Sequence, residues 1–335
     1  MMSGHRIIPF AAVARLTSAI VALLAVCMPA VALATELTLV RFVYDWPVAD
    51  FGMVPVVVGQ AMGFYEHRGL KVDVLLPPDA QTTARMLATA RADIGFEATT
   101  DLIFAANQGV PVLAIANFTQ SNSWCLIGRP GEPIDITRLK GKAIGNFADS
   151  WTKAMMGFVL QKAGLRDSDV QEIIAQGDDI QLLLTKKIDI ATNAAAYGVA
   201  QIVSTQHQQP TLACNAAIGV PNIPVWAFTA APAWLGMNGA TAKAWLAATA
   251  DAIDWSIAHP QEAARIFTQS YPSSGSLDYN VVGWGYTAGL MKGPHGYFRQ
   301  TDAQWTELAN ALRNIGQIPA VKAPAAYFTN AYLPE

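Results

Sequence analysis

Hydrophobic and polar positions follow two rhythms along this chain. Leu37 to Tyr44 is an apolar run rich in β-branched and aromatic residues, which predicts a buried strand. Asp45 to Gly52 breaks the run with Pro47 and two acids, so a loop follows the strand's C-terminal end. From Met53 to Arg68 apolar residues recur at helical spacing (Val54, Val57, Val58, Ala61, Phe64, Tyr65), Gly69 stops the helix, and Val72 to Leu76 predicts a second strand. The unit is βαβ, and ligands in open α/β sheets bind outside the carboxyl ends of the strands. That places Asp45, Trp46, Asp50 and Phe51 at the mouth of a cleft.

The alternation continues. Asp79 can cap a helix over Gln81–Ala90, and Ile94 to Phe96 predicts a short strand followed by the loop Glu97-Ala-Thr-Thr-Asp101. Thr99 and Thr100 there are either caps of the next helix or hydroxyls offered to a ligand. Pro111 to Phe118 predicts a fourth strand, and Ser123 to Gly128 is where the chain enters a second set of elements. Lys142 to Phe147 predicts a strand leading into Asp149, Ser150 and Trp151 at a helix start, where free N–H groups suit polar or anionic atoms. Asp149 or Ser150 can equally be the N-cap. Strands over 170–175 and 188–192 and helices over 177–186 and 193–206 follow, with Asn193 and Tyr197 at the carboxyl end of a strand. Leu212–Ala216 and Val225–Thr229 predict strands that return the chain to the first set. The remainder is helical, with Trp245, Ala248, Ala252 and Trp255 on one stripe and a Thr301-x-x-Gln304 capping box ahead of Trp305, Leu308 and Leu312. Residues 320–335, punctuated by Pro324 and Pro334, predict a surface tail.

The N-terminus adds a destination. Arg6 and Arg15 precede an apolar run from Ala19 to Val31, and Ala32-Leu33-Ala34 fits a small-x-small cleavage site, the layout of a signal peptide over residues 1–34. An uncleaved anchor is the alternative, although the apolar core is short for a span. Without Arg6 and Arg15, 20 of the 22 basic residues remain against 25 acidic ones, a net charge near −5. Such a chain is not built to coat nucleic acid or anionic lipid. Cys125 and Cys214 are either a disulfide or two buried thiols, and no Cys/His spacing suits a metal.

Catalytic wording is sparse: no Gly-x-Ser-x-Gly, no His-Glu-x-x-His and no phosphate loop. Gly283-Trp-Gly-Tyr-Thr-Ala288 matches a dinucleotide fingerprint only on paper, because no βαβ unit surrounds it. Neither a metal nor a cofactor is expected.

The stretch Asp45-Trp-Pro, with Gly63-Phe-Tyr, Gly69-Leu-Lys-Val, Arg91-Ala-Asp-Ile-Gly95, Asn107-Gln-Gly-Val-Pro111 and Leu139-Lys-Gly-Lys-Ala-Ile-Gly145, resembles periplasmic solute-binding proteins of the nitrate/sulfonate/taurine and thiamine-pyrimidine type. The closest likeness is to the branch that binds thiamine pyrimidine precursors. It covers residues 37–200 well and the last third poorly, and Val48 and Phe51 stand where that branch usually carries Asn and His. The resemblance implies an α/β clamshell of two lobes with mixed sheets and two crossover strands: lobe 1 from residues 35–120 and 222–335, lobe 2 from 121–221. It implies a ligand held between them by Asp45, Trp46, Asp50, Phe51, Glu97, Thr99, Thr100, Asn122, Trp124, Asp149, Ser150, Trp151, Asn193 and Tyr197. The expected protein is a monomeric receptor outside the cytoplasm, partnered by a membrane ABC permease. A sensor kinase is the alternative partner. The family also includes eukaryotic pyrimidine synthases with a cysteine-rich segment that this chain lacks. The loops expected at the cleft hold Asp45, Asp50, Glu97, Asp101, Asp149, Asp178 and Asp179 but only one cation, Lys153. That balance favours an aminopyrimidine-like heterocycle over a sulfonate or nitrate, which helix N-termini could still bind.

Overall fold

The structure, a computed structural model, describes residue 1 and residues 36–175, 177–294 and 296–334. The leader expected over residues 1–34 therefore lies, Met1 apart, outside the described residues. No helix among the described residues is long and apolar enough to cross a membrane.

Two five-stranded sheets organise the chain. In the first, β1 (Thr38–Val43) pairs in parallel with β2 (Leu70–Leu75) and β3 (Ile94–Ala98), and β4 (Leu113–Asn117) is reached through β10 (Trp226–Ala230), which runs antiparallel to both its neighbours, in the order β2-β1-β3-β10-β4. In the second, β6 (Ala143–Asn146), β7 (Gln171–Ile174) and β8 (Ile190–Ala194) are parallel, and β5 (Trp124–Gly128) lies antiparallel between β8 and β9 (Thr211–Cys214), in the order β7-β6-β8-β5-β9. Each sheet thus receives one antiparallel strand from a crossing of the chain. Strand β9 stays within the second sheet, so the return to the first runs through residues 215–225, not through 212–216 as the sequence suggests. Cys125 lies directly opposite Cys214 across β5 and β9, and the two form a disulfide with Cα atoms 4.4 Å apart.

Helices cover the sheets where the periodicity places them, with instructive departures. The helix expected over 53–68 is α1 (Val54–Ala61), ended by Gly63 at φ +74° and followed by a single 3-10 turn at Glu66–Arg68. Helix α2 (Gln81–Ala88) begins without a side-chain cap, and Asp79 instead accepts a bond from the Thr82 hydroxyl. Helix α3 (Thr99–Asn107) starts directly after β3, so Glu97 is a strand residue and Thr99 and Thr100 lie inside the first turn. Asp149 caps α4 (Ser150–Ala163) by accepting the Thr152 N–H at 2.7 Å. Helices α5 (Asp179–Leu184) and α6 (Ala195–Gln206) complete the second layer.

The C-terminal third packs helices onto this frame. Helix α7 (Pro232–Ala258), kinked at Asn238, buries Trp245 against Phe42 and Phe228. Helices α8 (Pro260–Ser270), α9 (Leu277–Ala288) and α10 (Asp302–Asn314) follow, the last opened by the capping box Thr301/Gln304. The tail lies along the surface, as expected, and is anchored there by two aromatic residues. Tyr327 is buried, its ring 5.9 Å from that of Trp305, and Phe328 bridges Ala114 at the edge of β4.

Candidate functional site

The carboxyl ends of β1, β3, β6 and β8 face a cavity of about 330 Å³ between the two sheets. After β1, the chain turns at Asp50, whose carboxylate accepts Gly52 N–H and the Tyr44 hydroxyl, both at 2.7 Å. Gly52 is required there, because a Cβ would stand 2.6 Å from the Tyr44 hydroxyl oxygen. The second carboxylate oxygen of Asp50 accepts the hydroxyl of Tyr197, from α6 of the second sheet, at 2.6 Å. A parallel tie joins the Ser150 hydroxyl, at the start of α4, to Asp101 in α3. Two side-chain bonds therefore span the cleft.

Aromatic rings make most of the walls. The Trp46 and Phe147 ring centroids are 6.1 Å apart, those of Trp151 and Trp226 4.9 Å, and those of Phe51 and Tyr197 4.7 Å. Each pair takes one ring from each sheet's side of the cleft. Trp226 also stacks on Phe96 at 5.4 Å. Tyr279, Thr287 and Leu290 close the remaining side from α9 and its C-terminal end.

Five carboxyl groups line this cavity, those of Asp45, Asp50, Asp101, Asp149 and Asp179, and among the described residues no Lys, Arg or His does. Lys153, the cation expected near the cleft, is exposed. Loss of solvent disfavours the charged form of every one of these acids. It holds Asp45 well above the usual carboxylate range, with Asp50, Asp101 and Glu97 adding like charge. Asp101 is pushed up to about 7 by burial, against the bond from Ser150, and Asp179 to about 6, against a bond from Asn193. Burial raises Asp149 as well, and raises Asp50 despite the two tyrosine hydroxyls it accepts.

Eight of the residues singled out in the sequence meet here: Asp45, Trp46, Asp50, Phe51, Asp149, Trp151, Asn193 and Tyr197. Six do not line the cavity. Glu97 is 1% exposed within β3, and burial next to Asp101 pushes its carboxyl up to about 8. Thr99 donates to the carbonyl of Pro224 and Thr100 is buried in α3, so both belong to the packing beneath the site. Asn122 ties the two crossings together, its side chain donating to the Pro221 carbonyl and accepting the Trp124 N–H, while its own N–H reaches Asn222. Trp124 is fully buried, because every residue of β5 is core. Ser150 spends its hydroxyl on Asp101.

Tyr44, Phe96, Phe118, Phe147, Trp226 and Tyr279 line the cavity without having been singled out. Phe147 and Trp226 were discoverable, as aromatic residues at strand ends. Tyr279 was not, since nothing local marks α9 as part of a cleft. The glycine pattern in α9 has its own reason: a Cβ on Gly283 would stand 2.3 Å from the Phe51 ring, so that glycine permits close packing of helix on loop. Among the described residues no three His, Cys, Asp or Glu side chains gather as a metal centre. The site offers hydrogen-bond acceptors and ring faces, which suit a flat solute with N–H donors.

Comparison with known proteins agrees with this architecture. A family model described as NMT1/THI5 like matches residues 50–263. A putative thiamine biosynthesis protein of Haemophilus influenzae is 22% identical over 294 residues, spanning 86% of this chain and 90% of that one. The 4-amino-5-hydroxymethyl-2-methylpyrimidine phosphate synthase of Schizosaccharomyces pombe is 26% identical over 135 residues, and the match spans only 38% of that enzyme and 40% of this chain. Among solved structures, the periplasmic aliphatic sulphonate binding protein of Escherichia coli superposes with a TM-score of 0.66 at 13% identity, over 86% of this chain and 91% of that one. The fold is that of periplasmic binding proteins.

Proposed function

This chain belongs to the NMT1/THI5-like family, and we propose that it is the solute-binding receptor of an ABC importer. It works outside the cytoplasm, exported by the leader over residues 1–34, and captures a small heterocycle of the thiamine-pyrimidine kind. The carrying observation is the cavity itself: aromatic on its walls, lined by five carboxyl groups, and without a cation among the described residues. Residues 35–120 with 222–335 form one jaw and residues 121–221 the other. Closure about the two crossings presents the loaded face to a membrane permease. Trp46 and Trp151 stack on the ring, and the carboxyl groups accept its amino protons.

An anionic solute fits less well. Five carboxyl groups and, among the described residues, no cation face it, and at the start of α4 the Asp149 carboxylate already takes the Thr152 N–H. A thermal-shift comparison tests the reading. 4-Amino-5-hydroxymethyl-2-methylpyrimidine raises the melting temperature, by about 2.7 kcal/mol of stabilisation at a hundredfold excess over its dissociation constant. Taurine, nitrate and alkanesulfonates leave it unchanged. Stabilisation by the anions alone overturns the choice of ligand.

A further inference from the structure

We infer that the solute enters the cavity as an organic cation and expels protons from the cavity walls as it binds. This rests on the receptor reading above and specifies the charge state of what the receptor carries.

Several donors around the cavity are already committed, although the Thr119 hydroxyl and the Trp151 indole N–H are not. Tyr44 and Tyr197 both give their hydroxyl protons to Asp50, and Ser150 gives its own to Asp101. Asp45 is left over. It is only 6% exposed and lines the cavity, and the hydrogen bond that its carboxyl group receives comes from its own backbone N–H, with no side-chain donor or cation beside it among the described residues. A buried carboxylate without a counter-charge is costly and is relieved by protonation or by a cation.

No group packed around Asp45 supplies that cation. From its own loop it faces Asp50, from β3 Glu97 and from α3 Asp101, and the tyrosines nearby are acceptors' partners, not bases. Asp149 and Asp179 add two more acids from the opposite sheet. Several carboxyl groups sharing so small a space cannot all ionise in the absence of a counter-charge. The raised titration of Asp101, to about 7, is consistent with protons held there at neutral pH.

The exchange balances simply. A solute that is already protonated in water places its N–H⁺ against Asp45 and its neighbours, and a carboxylic acid on the wall loses its proton to solvent. The ring faces of Trp46, Trp151 and Trp226 add attraction for the same charge.

Benzamidine and benzamide separate charge from shape, the first a flat cation at neutral pH and the second its neutral near-isostere. The mature chain is titrated calorimetrically with each, in two buffers of different ionisation enthalpy. Benzamidine is expected to bind at least about tenfold more tightly, about 1.4 kcal/mol. Its binding releases protons and strengthens as pH rises through the Asp101 range near 7. Asp45→Asn reduces both the preference and the proton count. The wild-type buffer comparison stands without that variant should it fold poorly. Equal or tighter binding of benzamide, proton uptake, or no benzamidine binding at millimolar concentration overturns the inference. If 4-amino-5-hydroxymethyl-2-methylpyrimidine binds without proton release, the cation assignment falls and the receptor survives. If it, benzamidine and taurine all fail to bind, both fall.

Discussion

Tyr197 and Asp50 are 147 residues apart in sequence and 2.6 Å apart in space, hydroxyl to carboxylate across the cleft. One comes from a helix on the second sheet, the other from the loop after the first strand. Their bond, with that of Ser150 to Asp101, holds the two sides of the cavity together.

Tyr197→Phe removes that bond and keeps the ring. A hydrogen bond to a charged acceptor contributes about 1.5–3 kcal/mol, here to the closed arrangement. Small-angle scattering of the ligand-free variant is expected to give a larger radius of gyration than wild type. An unchanged radius shows that other contacts hold the cleft shut.

Two tryptophans are expected to part company. Trp46 is half-buried at the cavity wall, so Trp46→Ala leaves the melting temperature near wild type and weakens ligand binding at least about tenfold. Trp124 is fully buried in β5, so Trp124→Ala costs about 3–5 kcal/mol of stability. Denaturant melts and calorimetry on both variants check the pair, and a Trp124 variant of normal stability contradicts its place in the core.

Stability is expected to fall as pH rises. Asp101, Asp179 and Glu97 have folded-state pKa values near 7, 6 and 8, above those of the unfolded chain. The folded state therefore binds these protons more tightly, and their contribution is full below about pH 4 and lost as pH passes through the folded values. The melting temperature of ligand-free protein should decline between about pH 5 and about pH 8. A rising curve over that window would show that these carboxyl groups ionise freely in the folded state.

The disulfide supports the second sheet and not the site. It closes 89 residues of chain between β5 and the edge strand β9. Replacing both Cys125 and Cys214 by Ser should lower stability by about 2–4 kcal/mol in urea melts, with ligand affinity within about twofold of wild type. A large loss of affinity would mean that β9 helps to shape the cavity.

Much of this was legible in the residues. The break at Asp45–Gly52 after an apolar run marks a loop at a strand's end, and the loop lies at the cavity. Asp149, which the sequence leaves open between a cap and a ligand contact, caps α4 and also lines the cavity. Trp124 lies in the core and not at the cavity, because its run Trp-Cys-Leu-Ile is continuous apolar strand, whose side chains face core on both sides. Glu97 was misplaced because β3 runs two residues further than its apolar stretch, with Glu97 paired opposite Ala227 in β10. Strand length is set by that partner and not by local composition. Ser150 with Asp101, and Tyr197 with Asp50, join residues whose proximity only the tertiary fold creates.

Tyr279, Thr287 and Leu290 all lie beyond residue 263, where the family match ends, yet they form one side of the cavity. Two chains alike throughout the matched stretch can therefore differ in this wall of the cavity. Grafting residues 277–290 of one family member onto another exchanges that wall and leaves the matched stretch untouched. The Gly283 contact with Phe51 would have to travel with the graft, since a Cβ there would stand 2.3 Å from the Phe51 ring.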